Sequence, residues 1–166
     1  MHLFNPASAA RGLVLLCPGG GQDHTSPGVV ARASSLTERG YAVAVVRSLD
    51  DVPAVLADHD GPVGLWGLSQ GTRVGLPLLA AEPRVGAAVL GLADGPIGSA
   101  PLVTAPVLFY VQSDDDMLEP DDCRALFAAL GSTDKTLVEN PGGHLELPRT
   151  TVEESADWLV AKLGGR

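Results

Sequence analysis

A chain of 166 residues that is 45% hydrophobic and 19% charged is long enough to bury a proper core and too apolar to be disordered, so residues 1–166 are read as one domain. Its net charge of −9 argues against nucleic acid or anionic membrane as a partner, because both need clustered Lys and Arg. Two cysteines, Cys17 and Cys123, offer neither a metal-type pairing nor a disulfide framework, so no metal and no cofactor is expected.

In chain order, short apolar runs alternate with helical stretches. The first run, residues 13–17, is far shorter than a membrane span, and bulky Leu16 stands where a lipoprotein signal wants a small residue before the cysteine. A cytoplasmic location is therefore expected. Strands are predicted at residues 12–16, 41–46, 62–66, 85–90, 107–111 and 135–138. They are rich in Val and Leu without polar alternation, as in parallel strands buried on both faces. Helices are predicted at 28–39, about 49–57, 72–81, 121–130 and 151–163. Gly40 stops the first of these. Pro120 suits a first helical turn, and Asp121 and Asp122 complement that helix's N-terminal dipole. Residues 95–105, rich in Gly, Pro and Ala, are expected to form a loop. Repeated β-α units with right-handed crossovers predict an α/β fold, a doubly wound open sheet with helices on both faces and the site beyond the carboxyl ends of the strands.

Gly67-Leu68-Ser69-Gln70-Gly71 falls where the third predicted strand meets a helix. In so glycine-rich a chain, Gly-x-Ser-x-Gly is expected roughly 0.15 times by chance, so its setting must confirm it. A serine on a sharp strand-to-helix turn has its hydroxyl pushed above the sheet, and the crowding there demands glycine neighbours. Such a hydroxyl attacks an acyl carbon only if a base removes its proton.

Four histidines compete for that role. His144, in the tight loop Asn140-Pro141-Gly142-Gly143-His144 after the last strand, belongs at the serine's end of the sheet. His24, after the first strand, is also at that end; His59 belongs at the opposite end and His2 is terminal. The orienting carboxylate should follow a strand between Ser69 and His144. Residues 112–120 carry Asp114, Asp115 and Asp116, of which one can turn inward while the others stay solvated or cap a turn. Asp94, after the preceding strand, is a rival. Oxyanion donors are expected from the amide of Gln70 and from the loop Cys17-Pro18-Gly19-Gly20-Gly21-Gln22-Asp23-His24. That loop lacks the spacing of a nucleotide-binding motif.

These residues together resemble the α/β-hydrolase fold, and within it the small, capless dienelactone-hydrolase-like carboxylesterases. The resemblance covers nearly the whole chain. It rests on Pro18-Gly19-Gly20-Gly21, Arg39-Gly40-Tyr41-Ala42-Val43, Gly67-Leu68-Ser69-Gln70-Gly71, Asp116 four residues before Pro120, and Gly142-Gly143-His144. It implies a minimal fold of about six parallel strands in the order 2-1-3-4-5-6, without a cap. It also implies Ser69 as nucleophile, His144 as base and Asp116 as orienting acid, with Asp115 the next choice. Ser113 stands where the family commonly has glycine, and Cys17-Pro18 stands where many members have His-Gly. The second oxyanion donor is thus open between Gly19 and Gly20.

The activity so implied is a serine hydrolase of small acyl esters, with thioesters and lactones equally reachable by the chemistry and a peroxidase or acyltransferase variant as a minor option. The alternative is a catalytically silent hydrolase-fold protein that binds a small molecule or a protein. The expected partner is a small-molecule ester, and the chain is expected to be a monomer or homodimer. A capless site is expected to be open and shallow. Its walls should come from loops 22–27, 92–103 and 117–119, with Gln22, His24, Met117 and Leu118 as candidate substrate contacts. A core role fits Met117 and Leu118 as well, and Trp66, ending a buried strand, is expected in the core.

Overall fold

The computed structural model describes residues 2–95 and 97–164; Met1, Pro96 of the expected 95–105 loop, Gly165 and Arg166 lie outside them. Its centre is a sheet of six parallel strands: β2 (Gly12–Cys17), β3 (Tyr41–Val45), β4 (Val63–Gly67), β5 (Val85–Gly91), β6 (Val107–Gln112) and β7 (Lys135–Asn140). They lie side by side as β3-β2-β4-β5-β6-β7, which is the expected order. A seventh strand was not expected. β1 (His2–Phe4) adds antiparallel to the edge of β3, pairing His2 with Val45 and Phe4 with Val43.

Every residue of β2 through β6 is buried, because helices cover both faces. Alternation along each strand then sorts side chains between two cores. Val14, Leu16, Val43, Trp66, Val89 and Tyr110 face α1 (Pro27–Glu38) and α5 (Arg149–Gly164), which contribute Val29, Ala33 and Leu36, and Ala156, Leu159 and Leu163. Leu13, Leu15, Leu65, Leu90, Phe109 and Val111 face α2 (Val52–Ala57), α3 (Gln70–Ala81) and α4 (Pro120–Ala129). Trp66 is fully buried, as expected.

Two elements differ from expectation. The helix foreseen at 49–57 begins as a single 3₁₀ turn, Leu49–Asp51, because the Ser48 side chain accepts from the Asp50 amide and Pro53 follows inside the first turn of α2. The 95–105 segment is not wholly loop, since Ile97–Leu102 winds into 3₁₀ turns.

The strand order reverses between β2 and β4, so the loops leaving their carboxyl ends part there and open a crevice above the sheet. Those two loops are Gly19–Gly21 and Gly67–Gly71. Among the described residues no helix is long and apolar enough to cross a membrane.

Candidate active site

Ser69, two residues past the end of β4, caps α3 with φ 57° and ψ −122°, a backbone strain that a non-glycine residue adopts only when its surroundings compel it. Its amide donates to Gly91 O at 2.9 Å. The Thr72 hydroxyl lies 2.8 Å from Gly67 O and 2.6 Å from Gly91 O, clamping the turn from below. Thr72 was not singled out from the sequence.

The flanking glycines are required by contact rather than by φ. A Cβ on Gly67 would sit 2.4 Å from Gly71 O, and one on Gly71 would sit 2.0 Å from Cys17 O. Both neighbours are backbone and cannot swing aside. Gly71→Ala is therefore expected to destabilise the fold by about 3 kcal/mol, a fall in Tm of roughly 6–12 °C for a domain of this size. Thermal unfolding by circular dichroism checks this.

A hydrogen-bonded chain runs from Ser69. Its Oγ is 2.9 Å from His144 Nε2, and His144 Nδ1 is 2.7 Å from Asp115 Oδ2. The carboxylate on the ring is thus Asp115, in place of the expected Asp116. The loop geometry explains the difference, since all three aspartates are used. Asp114 Oδ2 accepts from the Gly142 amide at 3.1 Å, and Asp116 Oδ1 accepts from the His144 amide at 3.1 Å. These two hold the histidine loop by its backbone and leave the side chain between them to meet the ring. Asp115 is fixed in turn by the amides of Met117 at 2.8 Å and Leu118 at 2.9 Å, both donating to Oδ1. Asp94 is not at the site; it pairs with Arg73 on α3.

The His144 and Asp115 side chains are 3% and 1% exposed. Burial by itself raises the Asp115 pKa. The bonds from His144 and from the Met117 and Leu118 amides, with the charge of His144, outweigh it and hold the carboxyl below its ordinary range. Asp115 is therefore ionised at neutral pH, and it fixes the proton of His144 on Nδ1, leaving Nε2 to accept from Ser69.

Opposite Ser69, the loop after β2 turns through Gly21 at φ 71°, where only glycine is unstrained. The Gly19 amide donates to Gln22 Oε1 at 3.1 Å and is occupied. Neither the Gly20 nor the Gln70 amide has an acceptor among the described residues. The two residues adjoin, a Cβ on Gly20 falling 3.9 Å from Gln70 Cβ.

A cavity of about 620 Å³ leads from Ser69 and His144 between α1 and α5. Its lining includes the apolar Leu68, Leu92, Met117, Leu145 and Leu147 and the polar Arg32, Ser35 and Glu153. Of the expected contacts, Gln22 and Met117 line it, whereas His24 and Leu118 do not. His24 stacks on His2 with ring centroids 4.1 Å apart, and Leu118 packs against the core on the other face of the sheet. Leu145 is 83% exposed at the mouth and was not foreseen; its position directly after His144 was the available signal. The walls from α1 and α5 were out of reach of local reading, because Ser35 and Glu153 meet by a 2.8 Å hydrogen bond across 118 residues of sequence.

Cys17 and Cys123 are both free and buried, and burial pushes their thiols up to about 12 and about 11 respectively, so neither is a nucleophile at neutral pH.

No protein-family model and no curated protein sequence matches the chain. Solved structures do. The zinc-bound structure of a cold-adapted esterase from an Arctic intertidal metagenomic library is 30% identical, with a TM-score of 0.86, covering 97% of this chain and 86% of that one. The polyethylene-glycol-bound structure of such an esterase gives 28% identity at the same TM-score, covering 97% of this chain and 87% of that one. A monoacylglycerol lipase from Paleococcus ferrophilus is 15% identical at a TM-score of 0.75, covering 98% of this chain and 100% of that one, a likeness of fold.

Proposed function

Because the chain belongs to the α/β-hydrolase fold family, we propose that it is a serine hydrolase that cleaves small carboxylic esters through an acyl-enzyme on Ser69. The observation that carries this reading is the chain Ser69 Oγ–His144 Nε2 at 2.9 Å and His144 Nδ1–Asp115 Oδ2 at 2.7 Å. Likeness to the Arctic esterase supports the ester as the bond cleaved. Among the described residues the span between Ser69 and Asp115 holds α3, β5, the 3₁₀ turns and β6 and no further element, which supports reading the protein as one of the small, capless esterases.

In this mechanism Ser69 Oγ attacks the acyl carbon while its proton passes to His144 Nε2. Asp115 stabilises the imidazolium and does not take the proton. The carbonyl oxygen gains its negative charge between the amide of Gln70, at the start of α3, and the amide of Gly20 in the loop after β2, neither of which has an acceptor among the described residues. His144 then protonates the departing alcohol. A water entering from the mouth gives a proton to His144 and attacks the acyl carbon; His144 passes that proton to Ser69 Oγ as the acyl–Oγ bond breaks, which frees the acid and restores the hydroxyl. The apolar wall of Leu68, Leu92, Met117, Leu145 and Leu147 receives the acyl chain.

A panel of p-nitrophenyl esters, thioesters and lactones of graded acyl length tests the reading. Esters with short to medium acyl chains are expected to turn over best. Failure on every acyl substrate by folded protein would contradict it.

A further inference from the structure

Three consecutive glycines can present an amide to an oxyanion only if something else fixes the loop, since each holds more conformational freedom than any other residue. Here the restraint is a side chain. Gln22 closes the loop twice: its amide donates to Gly19 O at 3.1 Å, and its Oε1 accepts from the Gly19 amide at 3.1 Å. The same Oε1 lies 3.4 Å from Arg32 Nη2. Arg32 is itself fixed on α1, its Nε donating to Gly28 O at 2.9 Å, and it is only 5% exposed. No carboxylate pairs with it among the described residues.

A buried guanidinium without an ion partner is costly, and here its amide partner is the side chain that holds Gly19. Both acceptor sites of Gln22 Oε1 are then used, one by a charged donor that polarises the carbonyl and strengthens its hold on Gly19. The chain Gly28–Arg32–Gln22–Gly19 ties the flexible loop to a rigid helix.

We propose that Gln22, seated by Arg32, is a positioning residue of the oxyanion hole: by occupying the Gly19 amide it sets the loop so that the Gly20 amide faces the developing charge. This rests on the serine-hydrolase reading above. Donor placement matters steeply, because an ångström of displacement is worth about a hundredfold in rate. The role predicts a loss confined to the transition state, which mere support of the fold would not produce.

The test compares wild type, Gln22→Leu, Gln22→Glu, Arg32→Met and the Gln22→Leu/Arg32→Met double variant on one short-chain ester. Binding of a boronic acid, whose serine adduct places an oxygen in the hole, is measured beside turnover. Gln22→Leu is expected to lower kcat about 10- to 100-fold with KM within about threefold, and to weaken boronate binding by a similar factor. Gln22→Glu, which accepts both bonds and pairs with Arg32, is expected to recover most of that loss. In the double variant the second change is expected to add little. Gln22→Leu with wild-type kcat, a loss in KM alone, or additive losses in the double variant would overturn the proposal. If Gln22→Leu does not fold, Gln22→Asn, one methylene too short for the Gly19 amide, answers the same question. Ser69→Ala run alongside separates the two levels. Turnover surviving in Ser69→Ala removes the hydrolase reading, whereas Ser69-dependent turnover indifferent to Gln22→Leu removes only the positioning role.

Discussion

Ser69→Ala is expected to lower kcat for a short-chain p-nitrophenyl ester by about ten-thousand-fold or more, leaving a folded protein with KM little changed. The size follows from what the hydroxyl does. Without it there is no covalent intermediate, and the base and the oxyanion donors can act only on a directly attacking water. Stability should change little, because alanine at φ 57° bears the same backbone strain as serine and the substitution removes only the hydroxyl bonded to His144. Steady-state kinetics with thermal unfolding on the same preparation separate the two effects.

Asp115→Asn and Asp116→Asn are expected to part company. Asparagine at 115 presents an NH₂ or a neutral carbonyl to His144 Nδ1, so the ring loses both its fixed tautomer and the charge that stabilises the imidazolium; kcat should fall about a thousand- to ten-thousand-fold. At 116 the amide oxygen still accepts from the His144 backbone, so the loss should stay below about tenfold. Equal losses in the two variants would mean that the loop presents its aspartates differently during turnover. Asp115 also has a signature in stability. Its pKa is held below the unfolded value of roughly 3.9, so its contribution is present above that pH and is lost as pH falls through the folded pKa. Asp115→Asn should flatten the acid end of the stability profile, below about pH 4, relative to wild type.

Five of the six parallel strands were legible as buried apolar runs covered on both faces, and the half-exposed edge strand β7 by its Leu137-Val138 core; all six were read with small errors at their ends. β1 was not, because three residues at an edge, two of them exposed, are too short to show an apolar pattern; backbone pairing with β3 holds it, with Phe4 packing against the core. The meeting of Ser69 and His144 was legible because the glycines of Gly67–Gly71 and of Gly142–Gly143 mark tight local turns that sequence displays. The orienting acid was not. Which of three adjacent aspartates turns inward depends on the amides of Met117, Leu118, Gly142 and His144, whose directions no spacing rule fixes. Part of the cavity lining was missed for a different reason. Its inner walls come from α1 and α5, brought together by Ser35–Glu153 and Arg39–Asp157 contacts, and pairings between residues so distant in sequence leave no local pattern.

The central claim, that Ser69 is a nucleophile activated by His144 and Asp115, is tested most directly by a fluorophosphonate probe read by mass spectrometry of the intact protein and its peptides. One adduct per chain, mapped to Ser69, formed rapidly in wild type and much more slowly in Asp115→Asn, is the predicted result. Folded wild-type protein that takes the label at another residue would contradict the account, and protein that takes none would contradict it and favour a silent binding protein built on the same fold.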